Sequence, residues 1–156
     1  TYHRIRAVRT LRYKYIRNGY PDRPHLQPCA YKDNKDTYIA IRDWGEKGKL
    51  SDLQKNLLLS PKRANEELYD LKDDPWELTN LAGEPKHSKA LQKMRKTLDQ
   101  WIIETKDRGQ DVESMKMYDS DMQLYLDGLA KRGRGDRLEE IKANIALMKK
   151  WWKEGK

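Results

Sequence analysis

The run Glu66-Glu67-Leu68-Tyr69-Asp70-Leu71-Lys72-Asp73-Asp74-Pro75-Trp76-Glu77-Leu78-Thr79-Asn80-Leu81-Ala82 constrains this chain more than any other stretch. Its first part predicts a short strand over residues 67–71, with aliphatic and aromatic side chains suited to a half-buried pleated surface. Asp73-Asp74-Pro75 predicts a turn, because an Asp side chain bonds its own following backbone and Pro presets φ. Asn80, Gly83 and Pro85 then lead into a helix.

Two more strands are expected upstream. Arg4-Ile5-Arg6-Ala7-Val8-Arg9 and Arg12-Tyr13-Lys14-Tyr15-Ile16-Arg17 each alternate, with Thr10-Leu11 at the bend and Asn18-Gly19 as the stop. Side chains alternate with period two, so Tyr13 and Tyr15 share one face and Arg12 and Lys14 the other. Downstream, Ala90, Leu91, Met94, Leu98, Trp101 and Ile102 form one stripe of a helix near residues 86–106 that stops near Gly109. Packed on the hairpin, that stripe gives the expected fold class. It is α+β, a small antiparallel sheet of three or four strands crossed by a long helix, with a C-terminal helical extension.

Residues 20–37 carry Pro21, Pro24 and Pro28 and are expected to lack regular structure. A helix is expected near 38–44, and a clearer one over 50–59, where Leu50, Leu53, Leu57 and Leu58 keep helical spacing before Ser60-Pro61. Residues 107–117 are polar and linking, with a short helix expected over 121–129. Lys131-Arg132-Gly133-Arg134-Gly135 reads as a flexible basic turn. The last helix opens with Asp136 and Glu139 in capping-box spacing and carries Leu138, Ile141, Ile145, Met148 and Trp152. The expected division is a sheet-and-helix domain over 1–109 and a helical extension over 110–156, whose apolar stripe needs another surface to cover it.

Charge sets the partner classes. The net charge is +8, with 37% hydrophobic and 37% charged residues, so the core is small for 156 residues. Residues 1–35 hold nine Lys/Arg against two Asp/Glu, and the remainder nearly cancels. Such a patch favours a nucleic acid, a sulfated glycan or an acidic surface; solvated strand edges guarded by charge account for it equally well. Cys29 is the single cysteine, which excludes an internal disulfide and any cysteine metal spacing. No stretch approaches the ~20 apolar residues of a membrane span, so no membrane partner is expected.

The run at 66–82, with Arg6-Ala7-Val8-Arg9-Thr10, Arg12-Tyr13-Lys14-Tyr15-Ile16 and Trp101-Ile102-Ile103-Glu104-Thr105, resembles the C-terminal region of type I, formylglycine-dependent sulfatases. It is most similar to bacterial members of the heparan N-sulfatase (N-sulfoglucosamine sulfohydrolase) branch, over about residues 4–109. The resemblance implies hydrolysis of sulfate esters or sulfamates of a glycosaminoglycan-type sugar, by a formylglycine hydrate polarised by calcium. The nucleophile motif C/S-x-P-x-R is absent, and Pro28-Cys29-Ala30-Tyr31-Lys32 does not supply it. No catalytic or metal residue is therefore assigned. Calcium and formylglycine are expected in an N-terminal part, and this chain alone is expected to be inactive. The chain opens at Thr1 rather than Met, which suits a processed or truncated product.

The implied partners are the N-terminal catalytic domain of the same sulfatase and a sulfated glycan, with a periplasmic or secreted location. The candidate substrate residues are Arg23 and His25, in Pro21-Asp22-Arg23-Pro24-His25-Leu26-Gln27. Arg gives an oxyanion bidentate, charge-assisted bonds, and His25 could bond a sugar hydroxyl or the anion; ordinary loop residues are the plain alternative. His3 and His87 read as solvated or packing side chains. Two further classes stay open. A free-standing polyanion- or nucleic-acid-binding module could use Tyr13 and Tyr15 for stacking and Lys131 to Arg134 for backbone contacts, though no nucleic-acid module fits and nucleic acid is the less expected partner. A purely structural cap on a catalytic domain is the third.

Overall fold

The computed structural model describes residues 4–33, 35–109, 111, 114–133 and 135–155. Its elements run β1 (Ile5–Arg9), β2 (Tyr13–Asn18), α1 (Ala30–Asp33), α2 (Asp36–Glu46), α3 (Asp52–Leu59), β3 (Glu66–Asp70), α4 (Ser88–Thr105), α5 (Met115–Lys131) and α6 (Leu138–Lys153). This mixture of sheet and helix is the expected α+β class. The chain forms two compact units. Of the described residues, one unit holds those of 4–21 and 64–111, and the other those of 22–63 and 114–155.

In the first unit the strands pair antiparallel in the order β1-β2-β3. Thr10 sets the hairpin: its Oγ1 accepts from Tyr13 N–H at 2.9 Å, and its own N–H donates to the Tyr13 carbonyl at 2.8 Å. The register that follows aligns Val8, Tyr15 and Leu68 across the three strands. Tyr15 and Leu68 are fully buried with Leu98, beside Leu91 and Met94 of α4, and Ala90 and Ile102 pack against them. Trp101 departs from the expected stripe. It is 45% exposed on the flank of α4. The helix ends at Lys106, whose left-handed backbone (φ 51°) lets its N–H reach the Ile102 and Ile103 carbonyls.

The 66–82 run explains its own composition. Asp70 is buried and accepts from Arg12, Nε at 2.9 Å and Nη2 at 2.8 Å, while its carbonyl takes Asp73 N–H and Asp74 N–H. Asp74 closes the turn by accepting from Thr79 N–H at 2.8 Å. The backbone N–H groups of Thr79 and Leu78 hold its carboxyl below the usual carboxylate range. Glu77 has a left-handed backbone (φ 57°), and its carboxylate meets Lys14 at 2.6 Å. Strand β3 begins at Glu66, one residue before the expected start.

The second unit is helical. One turn of helix, α1, forms inside the stretch expected to lack regular structure. Its anchor is the fully buried Asp33, whose carboxylate accepts from Cys29 N–H at 3.0 Å and Asn144 Nδ2 at 2.9 Å and pairs with Arg42 at 2.6 Å. Helix α3 opens with a capping box between Ser51 and Gln54, which the sequence reading missed. Helix α5 is longer than the expected 121–129 at both ends, because Ser114 caps it by accepting from Met117 N–H at 3.2 Å and Tyr118 is buried.

The capping box expected from Asp136 and Glu139 does not form. A 3-10 turn over Gly135–Arg137 places Arg137 at the N-cap of α6, without a side-chain cap. That guanidinium is held elsewhere, by the Asp33 carbonyl at 3.1 Å and by Glu140 at 2.5 Å. The α6 stripe finds its cover locally. Ile141 is fully buried with Leu129 of α5 and beside Ala30 of α1; Leu138, Ile145, Met122, Tyr125 and Leu126 surround them. Trp152 meets the Tyr118 ring edge-on at 6.2 Å. Arg134 of the basic turn lies outside the described residues.

Candidate functional site

The loop expected to meet substrate is divided in two by burial. Arg23 is 4% exposed. Its Nη1 donates to Gln27 Oε1 at 3.3 Å, its guanidinium lies 5.6 Å from the Trp151 ring, and its carbonyl accepts from Arg63 Nε at 3.2 Å. Cation-π contact and side-chain bonding in a dry setting make Arg23 the post on which the loop hangs. His25, two residues on, is exposed on the surface of the same loop. The two candidates therefore share a loop and point to different environments, one interior and one solvent.

A second cluster was not singled out from sequence. In the first unit Arg4, Arg6 and Arg17 line a concavity of about 160 Å³ with Gly19, Ile102, Asp107 and Gly109. Hairpin register builds it, because Arg6 lies directly opposite Arg17 and Gly19 N–H donates to the Arg4 carbonyl at 2.6 Å. Arg6 forks onto Asp107, Nε to Oδ2 at 2.5 Å and Nη2 to Oδ1 at 2.9 Å. That bond, with Gly109 N–H at 3.0 Å, keeps the Asp107 carboxyl below the usual range. Arg17 donates Nε to the Tyr15 hydroxyl at 3.2 Å and Nη1 to Asp99 at 2.8 Å. The signal was present in the sequence: with the bend at Thr10-Leu11, period-two alternation puts Arg4, Arg6 and Arg17 on one face near one end of the hairpin.

Other sequence candidates resolve as packing. His87 sits against the Tyr13 ring at 6.1 Å, and His3 lies outside the described residues. Tyr15 is sealed under α4, which removes it as a platform for stacking bases. Among the described residues no group of three or more His, Cys, Asp or Glu is placed to hold a metal. Among them, too, no helix is long and apolar enough to cross a membrane.

Comparison with known proteins finds two sulfatases. The chain is 40% identical over 98 residues to the ulvan-active sulfatase of Formosa agariphila, a match covering 63% of this chain and 16% of that protein. It is 50% identical over 52 residues to the Delta 4,5-hexuronate-2-O-sulfatase of Bacteroides thetaiotaomicron, covering 33% of this chain and 10% of that protein. The chain thus spans a small part of the length of the relatives it matches. No family model matches it.

Proposed function

We propose that this chain is the C-terminal part of a sulfatase whose upstream part carries the formylglycine nucleophile and the calcium site. The single observation that carries the reading is the partial identity to two named sulfatases. It is supported by the resemblance of the 66–82 run and the hairpin to the C-terminal region of that family. In this reading the sheet-and-helix unit stabilises the parent enzyme. The parent removes sulfate from an acidic, glycosaminoglycan-type saccharide in the periplasm or outside the cell.

The bond cleaved divides two forms of the proposal. The hairpin and the 66–82 run resemble the heparan N-sulfatase branch, and that likeness favours a sulfamate; one relative's name, a hexuronate-2-O-sulfatase, favours a sulfate ester. In either form the loop at 21–27 borders substrate through His25, and Arg23 contributes by holding the loop in place.

The test begins with the coding sequence upstream of Thr1. A C/S-x-P-x-R motif there directs assays of the full-length protein on a 2-O-sulfated unsaturated hexuronate and on N-sulfoglucosamine. Turnover of either by the full-length protein, with none from the isolated chain, is the expected result. A start codon close to Thr1, or sulfate release by residues 1–156 alone, sinks the proposal.

A further inference from the structure

We propose that the concavity lined by Arg4, Arg6 and Arg17 is an oxyanion subsite that grips a sulfate group of a sulfated saccharide. The saccharide class rests on the sulfatase reading above; the oxyanion chemistry rests on the geometry alone.

The first argument is register. Like charges directly opposite each other on paired strands are destabilising, yet Arg6 and Arg17 are direct partners across β1 and β2. Arg4 joins them, two residues along the same face, where the strand pair closes on Gly19. Three guanidiniums line the concavity with one carboxylate, Asp107. Asp99 is bonded to Arg17 but is not part of the lining. Arg6 and Arg17 are each paired with a carboxylate, and an oxyanion bound among the three guanidiniums would add further charge-assisted bonds.

The second argument is shape. A volume of about 160 Å³ holds several waters at roughly 30 Å³ each, so a tetrahedral oxyanion fits after displacing them. Two glycines let the lining arginines lie tight against the backbone. A Cβ on Gly109 would fall 1.4 Å from Arg6 Nη2, and one on Gly19 would fall 2.4 Å from Arg4 Cβ. The Ile102 side of the lining is apolar, which lowers the local dielectric and strengthens any ion contact made there.

The third argument is donor chemistry. Arginine presents a planar fork of N–H groups matched to two oxygens of one oxyanion. Arg6 is already oriented by its fork onto Asp107 and Arg17 by Tyr15 and Asp99, so an arriving anion meets side chains with little rotamer freedom left to lose. Arg17 Nη2 donates to no group among the described residues.

The test is amide NMR of the 156-residue chain, titrated with sodium sulfate against sodium chloride at equal ionic strength, then with a sulfated hexuronate disaccharide. The expected result is saturable shifts of the Gly19 and Gly109 amides by both ligands and competition between them. Arg4→Gln and Arg17→Gln should each weaken both by about tenfold, in line with loss of a charge-assisted hydrogen bond. Arg4→Gln leaves the Tyr15 and Asp99 bonds in place, so it reports binding even if Arg17→Gln unfolds. Shifts no larger than those in chloride overturn the site. Sulfate binding without disaccharide binding, or displacement of the disaccharide by duplex DNA of equal charge, overturns the saccharide assignment. Activity of the full-length protein is read separately, so a working sulfatase with a silent concavity defeats this inference alone.

Discussion

Asn80 completes the sheet from the side, using its side chain where a fourth strand would use backbone. Its Oδ1 accepts from Leu68 N–H at 2.9 Å, its Nδ2 donates to the Glu66 carbonyl at 3.0 Å, and Leu81 N–H donates to the Leu68 carbonyl at 2.8 Å. An exposed strand edge invites pairing with other chains, and this edge is covered by a few residues of turn. Asn80→Ala leaves the N–H of buried Leu68 unpaired. A loss of about 1–2 kcal/mol is expected, read as a lower urea midpoint with unchanged slope. Asn80→Asp, which retains the acceptor, should lose less. Equal losses would show that the acceptor is not what matters.

Stability should fall in acid, for two named reasons. The Asp70 carboxyl is held below its ordinary range, first by the Arg12 hydrogen bond, and Glu66 is lowered first by its bond from Arg95 Nε at 2.7 Å. A carboxyl depressed in the folded state adds stability that is fully present above its unfolded pKa, about 4 for these groups. That contribution drains away as pH falls through the lower folded value. Thermal melts should therefore be flat near neutrality and drop below about pH 4. Asp70→Asn should lower the neutral plateau and shallow the acid limb. An unchanged acid limb would remove Asp70 from the explanation.

The helical unit hangs on Asp33. Its carboxylate gathers Arg42, Asn144 and the backbone of Cys29, and its carbonyl takes Arg137. Removing one partner of a buried ion pair costs about 3–5 kcal/mol, because the other charge is left uncompensated. Asp33→Ala should cost that much by urea denaturation. Adding Arg42→Ala to it should cost less than Arg42→Ala does alone. Strict additivity across the cycle would mean that the pair is uncoupled.

The two glycines beside the basic concavity should respond differently to Ala. At Gly19 a Cβ meets Arg4 Cβ at 2.4 Å and the Arg4 carbonyl at 2.8 Å, so backbone must move. Overpacking of that kind costs about 1–3 kcal/mol. At Gly109 the nearest obstacle is the far end of Arg6, which can swing aside. Gly109→Ala should therefore keep most of the stability and instead break the fork of Arg6 on Asp107. Calorimetry gives the first quantity and the Arg6 Nε resonance the second. A larger melting loss at position 109 than at 19 would contradict the geometry.

Local patterns proved legible where one side of an element faces a core and the other faces water. The alternation in 4–9 and 12–17 located β1 and β2 closely, and the Leu91, Met94 and Leu98 spacing located α4. Such patterns say less where a residue's partner is distant in sequence. Trp101 fits the helical stripe yet lies at its exposed margin. Asp136 and Glu139 have capping spacing, yet Arg137 is drawn to Asp33, 104 residues away, and a 3-10 turn displaces the cap. Arg23 suits an anion as a loop cation, and burial against Trp151 and Gln27 is a setting that loop composition does not reveal.

The amino-acid sequence by itself determined the strands, the long helix, the Asp-Pro turn and the resemblance to a sulfatase C-terminal region. Each depends on spacing over a few residues, where backbone geometry leaves few choices. Only the tertiary structure decided that α6 buries its stripe on α5 and α1, that Arg23 points inward, and that Arg4, Arg6 and Arg17 meet around one concavity. Those outcomes depend on which surfaces come together across long stretches of chain, and local periodicity carries no information about the identity of the partner.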